Sequence, residues 1–343
     1  MRVLSLFDGI SCGRVALERA GIPVEVYYAS EIDKYAISVA QAMYPDTIQI
    51  GDVCKIDFIQ YIDKVDIIIG GSPCQDLSIA KQNRQGLQGE RSRLFWEYIK
   101  ALTIIKPKYF LLENVASMKN EDRDAITSVL QAIYPETECI MINSALVSAQ
   151  QRKRYYWTNW HVEQPEDKSI YLKDILESGL AIRGDKSHAV ISSAGRTTER
   201  EFFQKHQGNL KAYCLDANYF KGSSLEHTID KHNRELVAEI NAPQRVGEIG
   251  KGGQGQRIYS VRGKSISLSA NGGGQGAKTG LYKVDLPDGD YIIRKLTPRE
   301  CARLQTYPEH CFDVANISNT QWYKAFGNGW TVDVIAHIFS FIK

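Results

Sequence analysis

Arg2-Val3-Leu4-Ser5-Leu6-Phe7-Asp8-Gly9-Ile10-Ser11-Cys12-Gly13 runs from a short apolar stretch through a turn with two glycines into the amphipathic segment Gly13–Ala20, closed by Gly21. A strand that passes through a glycine turn into a helix is the first half of a βαβ unit. The pattern then repeats. Val24–Ala29 reads as a strand, and Asp33–Met43 as a helix that stops before Pro45. Ile48–Ile50, Val65–Ile69, Tyr109–Leu112, Glu138–Ile142 and Tyr155–Trp160 continue the strands, with helices at Ser92–Ile104 and Glu121–Ala132. Strands separated by helix-length segments give a mostly parallel sheet covered on both faces. The expected fold is therefore α/β, a doubly wound, Rossmann-like sheet whose ligands gather at the carboxyl ends of its strands.

Composition narrows the class. At 343 residues the chain is long enough for two domains. With 43% hydrophobic and 10% aromatic residues it is not disordered as a whole. No apolar run approaches the roughly 18 residues of a membrane span, and Asp8 comes too early for a secretory leader. Seven widely spread cysteines without a CxxC pair fit neither a disulfide framework nor a zinc site. The histidines have no ligand-like spacing, so no metal is expected. A reducing cytoplasm is the expected setting.

Beyond about residue 165 the texture changes. Eleven of the 27 glycines fall between Gly247 and Gly280. Between Asn241 and Gly280, Arg245, Lys251, Arg257, Arg262, Lys264 and Lys278 stand against a single acid, Glu248. Strand-like fragments at Arg257–Val261 and Ser265–Ser269 interrupt the glycines and argue against a plain linker. Short strands and loops that approach a polyanion closely are expected. A last helix is expected over Val332–Ile342.

Several residues stand where chemistry gathers in such a fold. The Gly9–Gly13 turn lets backbone approach a ligand at a helix N-terminus. Glu31, at the end of the second strand, is placed to accept the hydroxyls of a ribose, and Asp52 follows the third strand. Acids at these positions are also common helix caps, and both readings stay open. Ser72-Pro73-Cys74-Gln75 follows the fourth strand, and the proline would fix the direction of the Cys74 thiol. A polar stretch with Lys81, Arg84, Arg91 and Arg93 follows, suited to a phosphate-seeking lid. Glu113 ends the fifth strand as a candidate proton donor.

Taken with Gln150-Gln151-Arg152-Lys153-Arg154-Tyr155, Arg299-Glu300-Cys301-Ala302-Arg303-Leu304 and Phe326-Gly327-Asn328, these blocks resemble the DNA (cytosine-5)-methyltransferase family in order and spacing over nearly the whole chain. The resemblance implies S-adenosylmethionine as cofactor, surrounded by Phe7, Gly9, Ser11, Glu31, Ile32, Asp52, Val53, Ser72, Pro73, Leu94, Asn328 and Trp330. It implies that Cys74 attacks ring carbon 6 of a flipped cytosine, with Glu113, Arg152 and Arg154 around the base. Where Ser11 and Cys12 stand the family usually has glycine. The Asp8–Ser11 turn, Leu94-Phe95 and Gly329-Trp330-Thr331 are more similar to the vertebrate de novo enzymes.

The resemblance also implies a bacterial or phage enzyme, active as a monomer on double-stranded DNA, with no membrane and no obligatory protein partner. It divides the chain into a catalytic domain, residues 1–164 with 322–343, and a smaller, mainly β target recognition domain, residues 165–321. Gly252–Ser260 is similar to the recognition loop of bacterial enzymes for short GC-rich sites. Gln254 would fill the hole left by the flipped base, Arg257 would read a guanine, and Ser267 would back a phosphate. Lys81 and Arg91 would contact DNA from the lid. Two alternatives are a tRNA cytosine-5 methyltransferase of the same fold and an inactive DNA-binding homologue. The glycine- and arginine-rich segment speaks against the first, and intact Cys74, Glu113 and Arg154 against the second.

Overall fold

Alternate residues of the central strands point to opposite faces of one sheet, and the sequence makes both faces apolar. The structure, a computed structural model, describes residues 1–72, 93–177, 243, 245–248, 256–268, 281–285 and 291–343. Strand β1 (Arg2–Leu6) leads into α1 (Cys12–Arg19), β2 (Val26–Ser30) into α2 (Lys34–Met43), and β3 (Ile48–Gln49) into two short 3-10 turns. Then come β4 (Ile67–Gly71), α3 (Arg93–Ile105), β5 (Tyr109–Val115), α4 (Asn120–Gln131), β6 (Glu138–Asn143) and β7 (Lys153–Thr158). The seven strands form one sheet in the order β3-β2-β1-β4-β5-β7-β6. Its first five are parallel, and β7 runs antiparallel between β5 and β6.

Two cores follow from the alternation. Val3, Ile67, Ile69 and Leu111 pack on one face with α1, α2 and the C-terminal helix Val332–Phe339. Leu4, Leu6, Ile68, Phe110 and Leu112 pack on the other with Phe95, Tyr98 and Leu102 of α3 and Ile126 and Leu130 of α4. This is the doubly wound α/β fold expected from sequence. Among the described residues no helix is long and apolar enough to cross a membrane.

A second, four-stranded sheet has the order β11-β10-β9-β8, from β8 (Arg245–Glu248), β9 (Arg257–Ser260), β10 (Leu281–Asp285) and β11 (Tyr291–Arg294). One expectation needs correction here. Ser265–Ser269 forms no strand in its described part: Ser265 makes only an isolated bridge to Gln150. Its backbone N–H donates to Ala149 O and its carbonyl accepts from Gln151 N, so the segment is bound to the large domain instead of to a neighbouring strand. The boundary placed at 321/322 falls inside the helix Asn319–Asn328. Before it the chain already returns to residues 10 and 148: Tyr307 donates to Ile10 O at 2.6 Å and Ser148 to Leu304 O at 2.6 Å.

One buried pair fixes that return. Glu300, fully buried, takes two hydrogen bonds of 2.7 Å from the Arg294 guanidinium. It also closes a capping box with Thr297 at the start of the helix Pro298–Leu304.

Candidate active site

The first turn is held in a conformation that most residues avoid. Phe7, Gly9 and Ser11 have φ of 60°, 63° and 59°, in the left-handed region, where only glycine is at ease. Asp8 holds it there. Its buried carboxylate accepts from Ser11 Oγ at 2.6 Å and from Tyr27 OH at 2.7 Å. Burial pushes the Asp8 carboxyl above its usual range, and the hydroxyl donors oppose that shift. Sequence reasoning had given Asp8 no role. The side chain of Ser11, expected at the cofactor, is fully buried and turned onto Asp8.

Glu31 closes the same turn from β2. Its Oε2 accepts from Gly9 N at 2.8 Å, and its Oε1 accepts from Ile32 N and Asp33 N, both at 2.8 Å. A carboxylate has about four lone-pair directions, so one remains for a ligand hydroxyl. Asp52 caps the 3-10 turn Val53–Lys55 through Cys54 N at 3.0 Å. Both acids also line the cavity. The cap reading holds for Asp52, whereas α2 is capped by Asp33 and Glu31 instead holds the backbone of Gly9, Ile32 and Asp33.

That cavity has a volume of about 790 Å³ and lies at the carboxyl ends of β1, β2, β4 and β5. Pockets for cofactors usually span about 300–1,000 Å³. Phe7, Gly9, Glu31, Ile32, Asp52, Val53, Ser72, Leu94, Asn328 and Trp330 all line it, as do Glu113, Arg152, Arg154 and Ser267. Ile32 is 75% exposed at its rim, a large apolar side chain left uncovered beside an acid. Pro73, Cys74, Lys81, Arg91 and Gln254 lie outside the described residues. Arg257 is on β9, directly across from Glu248, and does not line the cavity.

The sheet itself brings the polar groups together. Gly71 pairs with Glu113 across β4 and β5, and Val115 pairs with Arg154 across β5 and β7. Residues two apart share a face, so Arg154 lies diagonally beside Glu113, and its Nε is 2.9 Å from Glu113 Oε1. Trp330 Nε1 donates to the other oxygen at 3.2 Å.

Arg152 is buried, and its guanidinium serves the protein itself. Nη1 donates to Leu268 O at 3.1 Å and Ser267 Oγ at 3.3 Å; Nη2 donates to Gly329 O at 3.1 Å and Gly327 O at 3.3 Å. Burial, helped by the Arg154 charge, pushes its pKa down to about 9, so it remains a cation at neutral pH. Arg152, expected beside the base, lines the cavity and also ties residues 267–268 to Gly327, at the end of the helix Asn319–Asn328, and to Gly329.

Lys264, counted above with the basic patch, is also fully buried. Its ammonium donates to the carbonyls of Ala145 at 2.8 Å and Ser148 at 3.2 Å, and to that of Ile170. Nothing in its sequence context marks it off from the exposed Arg262 two positions earlier.

With this geometry in place, the comparisons identify the family. The whole chain, residues 1–343, matches the C-5 cytosine-specific DNA methylases. Type II methyltransferase M.HhaI of Haemophilus parahaemolyticus is 30% identical, over 98% of this chain and 93% of its own. Orphan methyltransferase M.SPRI of Bacillus phage SPR is 27% identical, over 99% of this chain and 96% of its own. Among solved structures, the S. pombe Dnmt2 methyltransferase has the same fold, with a TM-score of 0.61 at 16% identity, covering 99% of this chain and 97% of its own. The chain belongs to the C-5 cytosine-specific DNA methylase family and is a DNA (cytosine-5)-methyltransferase by that membership. S-adenosylmethionine is the methyl donor of the family.

Proposed function

We propose that the chain methylates carbon 5 of cytosine within a short, GC-rich site of double-stranded DNA, through a covalent adduct on Cys74. The observation that supports this best is the shared cavity. Glu31 and Asp52 stand at one end of it, and Glu113, gripped by Arg154 and Trp330, at the other. An adenosyl group and a pyrimidine would meet between them.

S-adenosylmethionine, when bound, supplies an electrophilic methyl group. Phe7 would stack on its adenine, Asp52 would accept from the adenine amine, and the free lone pair of Glu31 would take a ribose hydroxyl. The target carbon is stacked inside the duplex, so the cytosine must be flipped out to reach the cavity. The Cys74 thiolate adds to carbon 6 and makes carbon 5 nucleophilic. Glu113 would accept from the exocyclic amine and, carrying a proton, donate to ring nitrogen 3, and Arg154 would donate to the carbonyl at ring position 2, both where charge builds during addition. After methyl transfer the carbon 5 proton passes to solvent, its bonding pair restores the double bond between carbons 5 and 6, and the carbon 6–sulfur bond breaks to release the Cys74 thiolate.

In this reading residues 1–164 and the helices from Pro298 onward form the catalytic lobe, and the part between reads DNA through Arg257 and Gln254. Ser267 lies in the cavity wall, where it would back the phosphate of the flipped nucleotide. Bacterial and phage relatives support a bacterial or phage-infected cytoplasm as its setting. Expression in a host without cytosine methylation, followed by sequencing of the methylated positions, tests the reading. 5-Methylcytosine should occur within one short sequence; its absence from DNA would overturn the proposal.

A further inference from the structure

Glutamate's terminal torsion is soft and roughly two-fold, so a carboxylate that must meet a flipped base in one orientation needs to be held. Glu113 is held at both oxygens, by Arg154 at Oε1 and by the indole N–H of Trp330 at Oε2. The second contact exists because Gly71 has no side chain. Gly71 is the direct neighbour of Glu113 across β4 and β5. A Cβ there would come within 2.7 Å of Glu113 Oε2 and 2.8 Å of Trp330 Nε1, too close for either to stay in place.

The indole is itself anchored from both sides in sequence. The Gly329 carbonyl accepts from Arg152 Nη2 at 3.1 Å and Gln305 Nε2 at 3.3 Å, and Thr331 Oγ1 donates to Gln305 Oε1 at 2.8 Å. The donor is therefore set before substrate arrives.

We propose that Trp330 and Gly71 are positioning residues for Glu113: the indole N–H, passing over the bare Cα of Gly71, fixes the carboxylate in the orientation the base requires. This rests on the cytosine methyl-transfer reading above and adds to it a second task for a residue of the cofactor wall. The ring of Trp330 lines the cavity; its N–H belongs to Glu113.

Trp330→Phe separates the two tasks, since it keeps an aromatic ring and removes the donor. Single-turnover methyl transfer at saturating S-adenosylmethionine and DNA is measured beside the cofactor Kd by calorimetry. This is done for the wild type, W330F, G71A and the double variant. The rate should fall about tenfold in W330F, the scale of one charge-assisted hydrogen bond, while the Kd changes less than about threefold. G71A should be slowed similarly, and the double variant should be no slower than the slower single one, because both remove the same contact. If G71A does not fold, the split between rate and Kd in W330F decides alone.

W330F at the wild-type rate, or with the loss confined to Kd, overturns the proposal, and so do losses that multiply in the double variant. Nucleoside mass analysis of the wild-type product keeps the two claims apart. A wild type that forms no 5-methylcytosine ends the functional reading and this proposal together, whereas an active wild type matched by W330F ends this proposal alone.

Discussion

The Gly9 N–H donates to Glu31 Oε2 at 2.8 Å, so the turn after the first strand and the acid after the second are one structural unit. Glu31 gathers three backbone donors and Asp52 only one, Cys54 N. Glu31→Ala should therefore weaken S-adenosylmethionine about 10- to 100-fold, from charge-assisted hydrogen bonds worth about 1.5–3 kcal/mol each, and should also lower Tm. Asp52→Ala should weaken the cofactor with a smaller change in Tm. Calorimetry and melting curves check both. Loss of DNA affinity equal to loss of cofactor affinity in both variants would make these acids structural and nothing more.

Arg257 stands on β9 opposite Glu248, in the small sheet and outside the cavity. A bidentate contact with guanine is worth about 1–3 kcal/mol of discrimination, whereas a phosphate contact has no sequence information. Arg257→Ala should lower methylation of the cognate site and narrow its margin over a site changed at one guanine. Rates on both sites give the answer. A common factor on every site would make Arg257 a phosphate clamp.

The ammonium of Lys264 is enclosed by three carbonyls, so it is part of the core and not of the DNA surface. Lys264→Met should destabilise the protein by about 2–4 kcal/mol, because buried acceptors lose their donor. The slope of DNA affinity against salt should stay that of the wild type. Arg262→Ala, at an exposed position, should make that slope shallower. Urea melts and salt titrations separate the two. A shallower slope in Lys264→Met would return Lys264 to the DNA surface.

Local pattern made the large sheet legible. Strand periodicity located β1, β2 and β4 to β7 within a few residues, and the glycine turn after β1 pointed to the cavity. Local pattern also left Glu31 and Asp52 with two readings, and the cap reading holds for Asp52 alone, because Asp33 caps α2 in place of Glu31. What it could not show depends on pairing over long distances. Lys264 and Arg262 look alike in sequence, and only the docking of 264–268 onto 145–150 buries one of them. Ser265–Ser269 alternates in sequence like a strand, but Ser265 meets the backbone of Ala149 and Gln151 instead of a sheet. The Glu113–Trp330 contact joins residues 217 positions apart, over a glycine whose missing side chain is visible only in three dimensions. Arg152 carries a family motif yet binds four acceptors of its own chain.

The central claim is that methyl transfer passes through a covalent bond between Cys74 and carbon 6 of cytosine. Duplex DNA in which 5-fluorocytosine replaces cytosine throughout tests it without knowledge of the recognition site, because fluorine at carbon 5 cannot leave as a proton does. Incubated with S-adenosylmethionine, the protein should form a stable adduct, and peptide mass spectrometry should place it on Cys74; Cys74→Ser should form none and should not methylate ordinary DNA. An adduct on another cysteine, or methylation by Cys74→Ser within tenfold of the wild-type rate, would contradict the account.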